Sequence, residues 1–160
     1  MACTTRRAVP SDAAAACDVV RRSIIELCAE DHRDDPTILE RWLENKTAAN
    51  FAARIGSERK LALVAERAGQ IVGFGLMDLC GYVELLYVCP DARFCGVGKA
   101  LLAALEAAAL AAGVREMKLE STNTALRFYR SAGYTADGGP RLEFCGTYCH
   151  PMSRRVGPGA

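Results

Sequence analysis

The stretch that decides the fold lies in the middle of the chain, where residues 84–102 read ELLYVCPDARFCGVGKALL. It begins as an apolar strand, passes through a turn-rich loop and enters a helical run. Backbone amides at a helix N-terminus point outward, and the helix dipole adds positive potential there. Because Gly96 and Gly98 have no Cβ, a phosphate can approach the backbone closely. Arg93 and Lys99 add positive charge. The pattern therefore predicts a loop that binds a diphosphate.

Two better-known phosphate loops do not match this stretch. A dinucleotide-binding fingerprint needs a third glycine three residues after the second, where this chain has Leu101. A P-loop needs four residues between its glycines and a serine or threonine after its lysine, whereas Ala100 follows the lysine here. A tight turn without a ligand is the remaining alternative for the two glycines.

A second informative stretch is residues 123–134, which read NTALRFYRSAGY. It predicts a short helix from Ala125 to Ser131. Phe128 falls on the apolar face and is expected in the core. Tyr129 is adjacent to it, and on this motif alone a packing aromatic with a solvated hydroxyl is a sufficient interpretation.

Together the two motifs resemble the GNAT superfamily of acyl-CoA-dependent N-acetyltransferases. In that family an Arg/Gln-x-x-Gly-x-Gly/Ala loop holds the pyrophosphate of coenzyme A, and a later helix carries Ala-x-x-Phe-Tyr-x-x-x-Gly-Phe/Tyr. The resemblance covers nearly the whole chain. It implies an α/β (α+β) GNAT fold with one mixed, mostly antiparallel sheet of about six to seven strands and about four flanking helices. We expect one domain over 1–160, with a core over 3–155.

The resemblance also implies acetyl-CoA as the co-substrate and a set of residues that bind it. By analogy, Leu86 and Val88 line the pantetheine with their backbone groups. Family members often carry Asn directly before the motif's alanine, whereas here Thr124 stands there and Asn123 precedes it. The expected cofactor-binding residues are Leu86, Val88, Arg93, Phe94, Cys95, Gly96, Val97, Gly98, Lys99, Ala100, Asn123 and Tyr129.

Two residues are candidates for the proton transfers. Tyr129 matches the family's general acid, which protonates the thiolate of coenzyme A. Strand alternation places Tyr82, Glu84, Leu86 and Val88 on one face, which makes Glu84 the nearest carboxylate. Glu84 is expected to take the proton of the amine, directly or through water. A solvated or ion-paired strand glutamate is the alternative.

The expected acceptor is an amine, either a small molecule or a peptide. The predicted first helix (12–29) and the helix that begins at Pro36 are separated by acids that would attract a cation such as a polyamine, an aminoglycoside or a peptide N-terminus. A solvated interhelical loop is the alternative. The residues concerned are Glu30, Asp31, His32, Asp34, Asp35 and Trp42, with His32 expected to be exposed.

Composition excludes several classes of protein. The chain has 160 residues, of which 51% are apolar and 24% charged, and its net charge is +1. That balance is typical of a globular protein and argues against a nucleic-acid partner. We see neither a signal peptide nor the ~18 to 20 apolar residues of a membrane span, which predicts a cytoplasmic protein without membrane partners. Whether it forms a homodimer is left open.

The eight cysteines are expected to be mostly reduced and buried, because disulfide frameworks serve small secreted domains. Cys145, Cys149 and His150 lack a second pair of metal-type ligands, so no metal is expected. Cys89 and Cys95 lack a spaced base partner and are interpreted as structural rather than as acyl-accepting nucleophiles.

A non-catalytic acyl-CoA-binding or regulatory module of the same fold is the alternative to an acetyltransferase.

Overall fold

The computed structural model describes residues 2–143 and 145–160, and its helices and strands lie in that part of the chain. The helices are α1 (Ala13–Leu27), α2 (Ala29–His32), α3 (Pro36–Leu43), α4 (Ala48–Ile55), α5 (Val97–Ala111) and α6 (Leu126–Ser131). The strands are β1 (Thr4–Arg7), β2 (Lys60–Arg67), β3 (Gln70–Asp78), β4 (Tyr82–Val88), β5 (Glu116–Ser121), β6 (Thr135–Ala136), β7 (Arg141–Leu142) and β8 (Tyr148–Arg155).

The strands form one mixed sheet in the order β1-β2-β3-β4-β5-β8-β6, with β7 also paired to β8. The pair β4–β5 is parallel and the other described pairs are antiparallel. The mixed, mostly antiparallel sheet predicted from the sequence is confirmed. The strand count is higher than expected because β6 and β7, of two residues each, both pair with the long strand β8.

Helix starts follow local capping chemistry. The Asp35 side chain accepts a hydrogen bond from the Thr37 amide at 2.8 Å and so caps α3, the helix that was predicted to begin at Pro36. The Thr47 hydroxyl accepts one from the Asn50 amide at 3.2 Å and starts α4, a helix that we did not predict. Gly113, with φ +87°, follows the C-terminal end of α5, where a left-handed conformation favours glycine.

Apolar side chains fill both faces of the sheet. On one face the residues of α5, such as Leu101, pack with β5 and β8. On the other face Ile24 of α1 and Phe51 of α4 pack with Phe74 of β3, and the two phenylalanine rings lie 5.2 Å apart. Alternation along β2 and β3 sends successive side chains to opposite cores, so residues 61–65 and 71–77 contain no polar side chain.

The described helices include none with the length and apolar character that crossing a membrane requires. All eight cysteines lie in the described part of the chain and all are free thiols, five of them buried. The expectation that most of the cysteines are buried is confirmed.

The glycine at position 73 of β3 is where α5 approaches the sheet most closely. A Cβ at Gly73 would lie 2.8 Å from Leu101 Cδ1 and 2.9 Å from Val97 Cγ1, both in side chains that are almost fully buried. We therefore expect Gly73→Ala to lower the free energy of unfolding by about 1–3 kcal/mol, as overpacking does. Urea denaturation measures this. Gly139→Ala is the control, since a Cβ there meets nothing within 4 Å; equal losses in the two variants would contradict the close approach of α5.

Candidate active site

The site is built around a gap in the sheet between β4 and β5. Their parallel pairing is confined to Tyr82 with Lys118 and Val83 with Leu119. Beyond Val83 the register between the two strands ends, although β4 continues to Val88 and β5 to Ser121. A gap therefore opens between two strands of one sheet.

A β-bulge sits where the gap begins. On β3, Leu76 pairs with Leu85 and the next residue pairs with Val83, which leaves Glu84 as the extra residue of β4. As a result Val83 shares a face with Leu86 and Val88, all three packing on the α5 side. The predicted common face of Tyr82, Glu84, Leu86 and Val88 is wrong, because the bulge reverses the alternation at Glu84.

The backbone of β4 faces the gap at alternate residues. The Cys89 amide donates to the Val72 carbonyl at 2.8 Å, towards β3. Because hydrogen bonds alternate in direction along an antiparallel strand, Leu86 and Val88 turn their N–H and C=O groups to the opposite edge. That edge carries peptide groups without a strand partner in the described chain, so it is ready to bind an extended ligand.

A cavity of about 780 Å³ occupies the gap. It runs from α1 past β4 to the loop before α5 and on to α6, and its volume is typical of a small-molecule site. Of the residues predicted to bind or act, those that line it are Glu84, Leu86, Val88, Arg93, Phe94, Gly96, Val97, Gly98, Lys99 and Tyr129.

The glycine loop forms one end of the cavity. Gly96 has φ +80° and is the residue before α5, and a Cβ there would meet nothing within 4 Å. The amides of Val97, Gly98 and Lys99 begin the helix and have no acceptor within it. Gly98 differs, because a Cβ would lie at an ordinary 3.5 Å from Phe128 and Val88. The open space above the backbone therefore depends on Gly96.

Two side chains before Gly96 flank this end of the cavity. Phe94 has φ +62° and is 91% exposed, and the guanidinium of Arg93 lies 4.5 Å from the centre of its ring. Cys95 is exposed and its thiol contacts the Arg93 carbonyl at 3.5 Å. Arg93 and Lys99 are exposed at the cavity, which gives that end a positive charge.

Tyr129 forms the cavity wall on α6. It is 6% exposed, and its ring packs edge-on between Phe128, at 5.1 Å, and Tyr134, at 5.7 Å. Burial raises the pKa of the Tyr129 hydroxyl well above its ordinary value. The hydroxyl therefore keeps its proton at neutral pH.

Glu84 lies at the bulge and forms an ion pair with Lys60 Nζ of β2. The two side chains are 21% and 27% exposed, respectively. The ion-paired glutamate that we weighed from the sequence is thus present, and the same carboxylate lines the cavity. Glu120 of β5 also lines the cavity and pairs with Arg141.

Comparison with known proteins agrees with this geometry. The sequence model of the acetyltransferase (GNAT) domain matches residues 27–156. The chain belongs to the GNAT acetyltransferase family. A curated relative, the IAA acetyltransferase of Azospirillum brasilense, is 37% identical over 86 residues, which are 49% of this chain and 56% of that relative's length.

Solved structures place the whole chain in the GNAT fold. A GCN5-related N-acetyltransferase structure from Rhodopseudomonas palustris (aminotransferase, class-II) has a TM-score of 0.86 and 28% identity, covering 98% of this chain and 97% of that one. The PaiA N-acetyltransferase of Thermoplasma acidophilum, in complex with coenzyme A, has a TM-score of 0.82 and 18% identity, covering 98% and 100%. The resemblance stated from the two motifs is confirmed.

The acidic segment of this GNAT chain is not one surface. Asp31 is 3% exposed and accepts hydrogen bonds from the turn before α6. His32 is fully buried, which contradicts the expected exposure, and its ring bonds to the Ile25 carbonyl at 3.1 Å and accepts from the Asp34 amide at 3.0 Å. Asp35 is the α3 cap. Asp31 and His32 face inward because their side chains bond to backbone donors and acceptors, whereas Glu30, Asp34 and Asp35 are exposed.

The other residues singled out in the sequence have separate partners. Cys145 contacts the Thr147 hydroxyl at 3.1 Å, Cys149 donates to Glu143 at 2.9 Å, and His150 bonds to the Asn123 side chain at 2.6 Å. Cys145, Cys149 and His150 therefore each bond to a different residue and not to one another. In the described chain, the ligand-type atoms of Glu120, Glu143 and Cys149 do lie within 4.8 Å of one another, each with a protein partner.

Sequence reasoning missed the part of the cavity that α1 and the residue after it supply, namely Ser23, Leu27 and Cys28. No local pattern marks them, because they reach the site only when α1 packs across β4. Burial raises the pKa of the Cys28 thiol to about 12, so it stays protonated and is not a nucleophile at neutral pH. Thr124 is a further lining residue, in the position where family members often carry Asn.

Proposed function

We propose that this chain is an N-acetyltransferase that moves an acetyl group from acetyl-CoA to a primary amine by direct attack in a ternary complex. The observation that supports it is one continuous cavity, which joins the glycine loop, the free edge of β4 and Tyr129. Family membership supports acetyl transfer in general; the donor, the amine and the residue roles are our proposal.

Coenzyme A suits the residues that line the cavity. Gly96 leaves open space at the N-terminus of α5, a helix of fifteen residues, and Arg93 and Lys99 add charge for a diphosphate. The pantetheine arm carries amides, and the N–H and C=O groups of Leu86 and Val88 would bind them as an added strand. Cys95, Ala100 and Asn123 are not among the lining residues, so the proposal does not depend on them.

The thioester of acetyl-CoA supplies the activated acetyl group. As the new C–N bond forms and the C–S bond breaks, the Tyr129 hydroxyl gives its proton to the departing sulfur. Glu84 takes the proton that the amine nitrogen loses, directly or through water, and solvent carries it back to Tyr129. A tyrosine with a raised pKa suits this role, because it is still protonated at the pH where amines begin to lose their protons.

The proposed acceptor is a cationic primary amine. The carboxylates that line the cavity are Glu84, Glu106 and Glu120. Glu106 is paired with Arg154, so Glu84 and Glu120 replace the segment from Glu30 to Asp35 as the acids near the amine. Because Lys60 and Arg141 pair with these two carboxylates, the net field at the site is modest. A thiol-release assay with acetyl-CoA against a panel of amines tests the function. Tight acetyl-CoA binding without release for any amine would favour the non-catalytic module.

The first prediction concerns the loop. Coenzyme A at 100 times its dissociation constant should stabilise the protein by about 2.7 kcal/mol. Gly96→Val should abolish this stabilisation, because a branched side chain fills the open space above the backbone. Thermal unfolding with and without coenzyme A measures the effect.

Gly69→Val is the matched control for this experiment. Gly69, at the tip of the β2–β3 hairpin, has φ +75° and equally open surroundings. Both variants therefore carry a similar backbone strain, on the order of 1–2 kcal/mol. If coenzyme A raised the unfolding temperature of Gly96→Val as much as that of the wild type, the ligand would not bind at this loop.

The second prediction concerns Tyr129. Tyr129→Phe should lower kcat by about 10²- to 10⁴-fold, the usual contribution of general acid catalysis, while the dissociation constant for acetyl-CoA stays unchanged. The raised pKa has a further consequence: kcat should not fall between pH 8 and 10 through loss of the tyrosine proton. Unchanged kcat with chemistry shown to be rate-limiting would return Tyr129 to a packing role.

The third prediction separates the two interpretations of Glu84. As a base, Glu84→Gln should lower kcat, and the loss should shrink as rising pH supplies more neutral amine. If Glu84 serves only as the ion-pair partner of Lys60, Glu84→Gln should have no further effect on kcat once Lys60 has been replaced. We expect Glu84→Gln to lower kcat equally in the Lys60→Met background. Equal activities of Lys60→Met and the double variant would assign Glu84 to the ion pair alone.

A further inference from the structure

We propose that Asp31 is a positioning residue for the general acid, because its carboxylate holds the turn from which α6 begins and so fixes where Tyr129 lies. The inference rests on the proposed function, since Tyr129 is the acid of that reaction. Asp31 acts through Tyr129 and needs no contact with either substrate.

The carboxylate of Asp31 accepts three hydrogen bonds from one turn. Oδ1 accepts from the Asn123 amide at 2.7 Å, and Oδ2 accepts from the Thr124 amide at 3.2 Å and the Thr124 hydroxyl at 2.6 Å. Asp31 is 3% exposed, and 92 residues separate it from Asn123. It therefore ties two distant segments together in a setting where water does not compete for the hydrogen bonds.

The segment that carries Asp31 is itself fixed. α2 has only four residues, and it follows α1 directly. The fully buried ring of His32 bonds to the Ile25 carbonyl of α1 on one side and to the Asp34 amide on the other. This neighbour of Asp31 thus anchors α2 to a helix of fifteen residues, so the carboxylate is held by a rigid support.

Hydrogen bonds connect the turn to Tyr129. The Ala125 amide donates to the Thr122 hydroxyl at 3.1 Å, and the Ala125 carbonyl accepts from the Tyr129 amide at 3.1 Å. With six residues, α6 is too short to hold its own geometry in water. The side chain of Asn123 adds a second tie, at 2.6 Å, to His150 of β8. The start of α6 is therefore tethered at two points, in addition to the packing of Phe128 and Tyr129 in the apolar core.

Only a carboxylate satisfies this arrangement. All three groups that point at Asp31 are donors, and a carboxylate is an acceptor at both oxygens. Asn at position 31 would turn an NH₂ group towards a backbone N–H or towards the Thr124 hydroxyl and would lose at least one bond. Asp31→Asn is thus a nearly isosteric change that loosens the turn without opening a cavity.

The first measurement is independent of activity. Hydrogen–deuterium exchange should show faster exchange in peptides covering 122–131 of Asp31→Asn, with no change in peptides from α5. Thr124→Val, which removes one of the three bonds, should give a smaller increase, and Thr124→Ser should restore wild-type exchange. Glu30→Gln, an exposed neighbour on α2, is the control. Wild-type exchange over α6 in Asp31→Asn would overturn the inference.

The second measurement uses turnover. Asp31→Asn should lower kcat by about 10- to 100-fold, the cost of misplacing a catalytic group by roughly 1 Å. The KM for acetyl-CoA and the coenzyme A thermal shift should stay within twofold of wild type. In the Tyr129→Phe background the same substitution should cost less than twofold, because the group that it positions is already gone.

The outcomes distinguish the inference from the proposed function. Full additivity of Asp31→Asn and Tyr129→Phe would show that Asp31 acts elsewhere and would overturn the inference while leaving Tyr129 as the acid. Wild-type kcat in Tyr129→Phe would overturn the proposed acid, and with it the catalytic purpose of the tether. If Asp31→Asn does not fold, Thr124→Val with its Thr124→Ser rescue carries the same exchange and double-variant tests.

Discussion

The structure depends on the point at which β4 and β5 part. Two residues of parallel pairing hold the sheet together at Tyr82 and Val83, and beyond them each strand has a free edge towards the other. Unpaired peptide groups inside a protein are costly unless water or a ligand satisfies them. A sheet that opens in its middle is thus a binding site by construction, and the bulge at Glu84 marks where it opens.

The elements around the gap serve either to keep it open or to line it. α5 packs on one face of β3 so closely that Gly73 has no room for a side chain, and its N-terminus lies at one end of the gap. α1 packs on the other face and contributes one wall. α6, which follows β5 in the chain, brings Tyr129 to the cavity. The cavity is therefore assembled from elements that lie far apart in the sequence.

Buried polar groups help to hold the elements around the cavity in place. Asp31 and His32 lie in a segment whose sequence is that of a solvated loop, yet both are enclosed and fully hydrogen-bonded. A buried carboxylate with three donors is stable where an unpaired one would not be. It links α2 to the turn before α6, which adds a polar tie to the apolar packing of Phe128 and Tyr129 in the cavity wall.

The sequence by itself determined the family and the glycine loop, because these depend on short-range patterns: the spacing of residues in two motifs, and glycine at Gly96 where φ is positive. The mixed sheet followed from the family resemblance. Only the tertiary structure decided the bulge at Glu84, which is set by its register with β3 and reverses the face of every preceding residue. It also decided the fate of Asp31, since the donors that bury it come from 92 residues away. A charged residue is exposed by default, and only a partner from a distant segment can overrule that expectation.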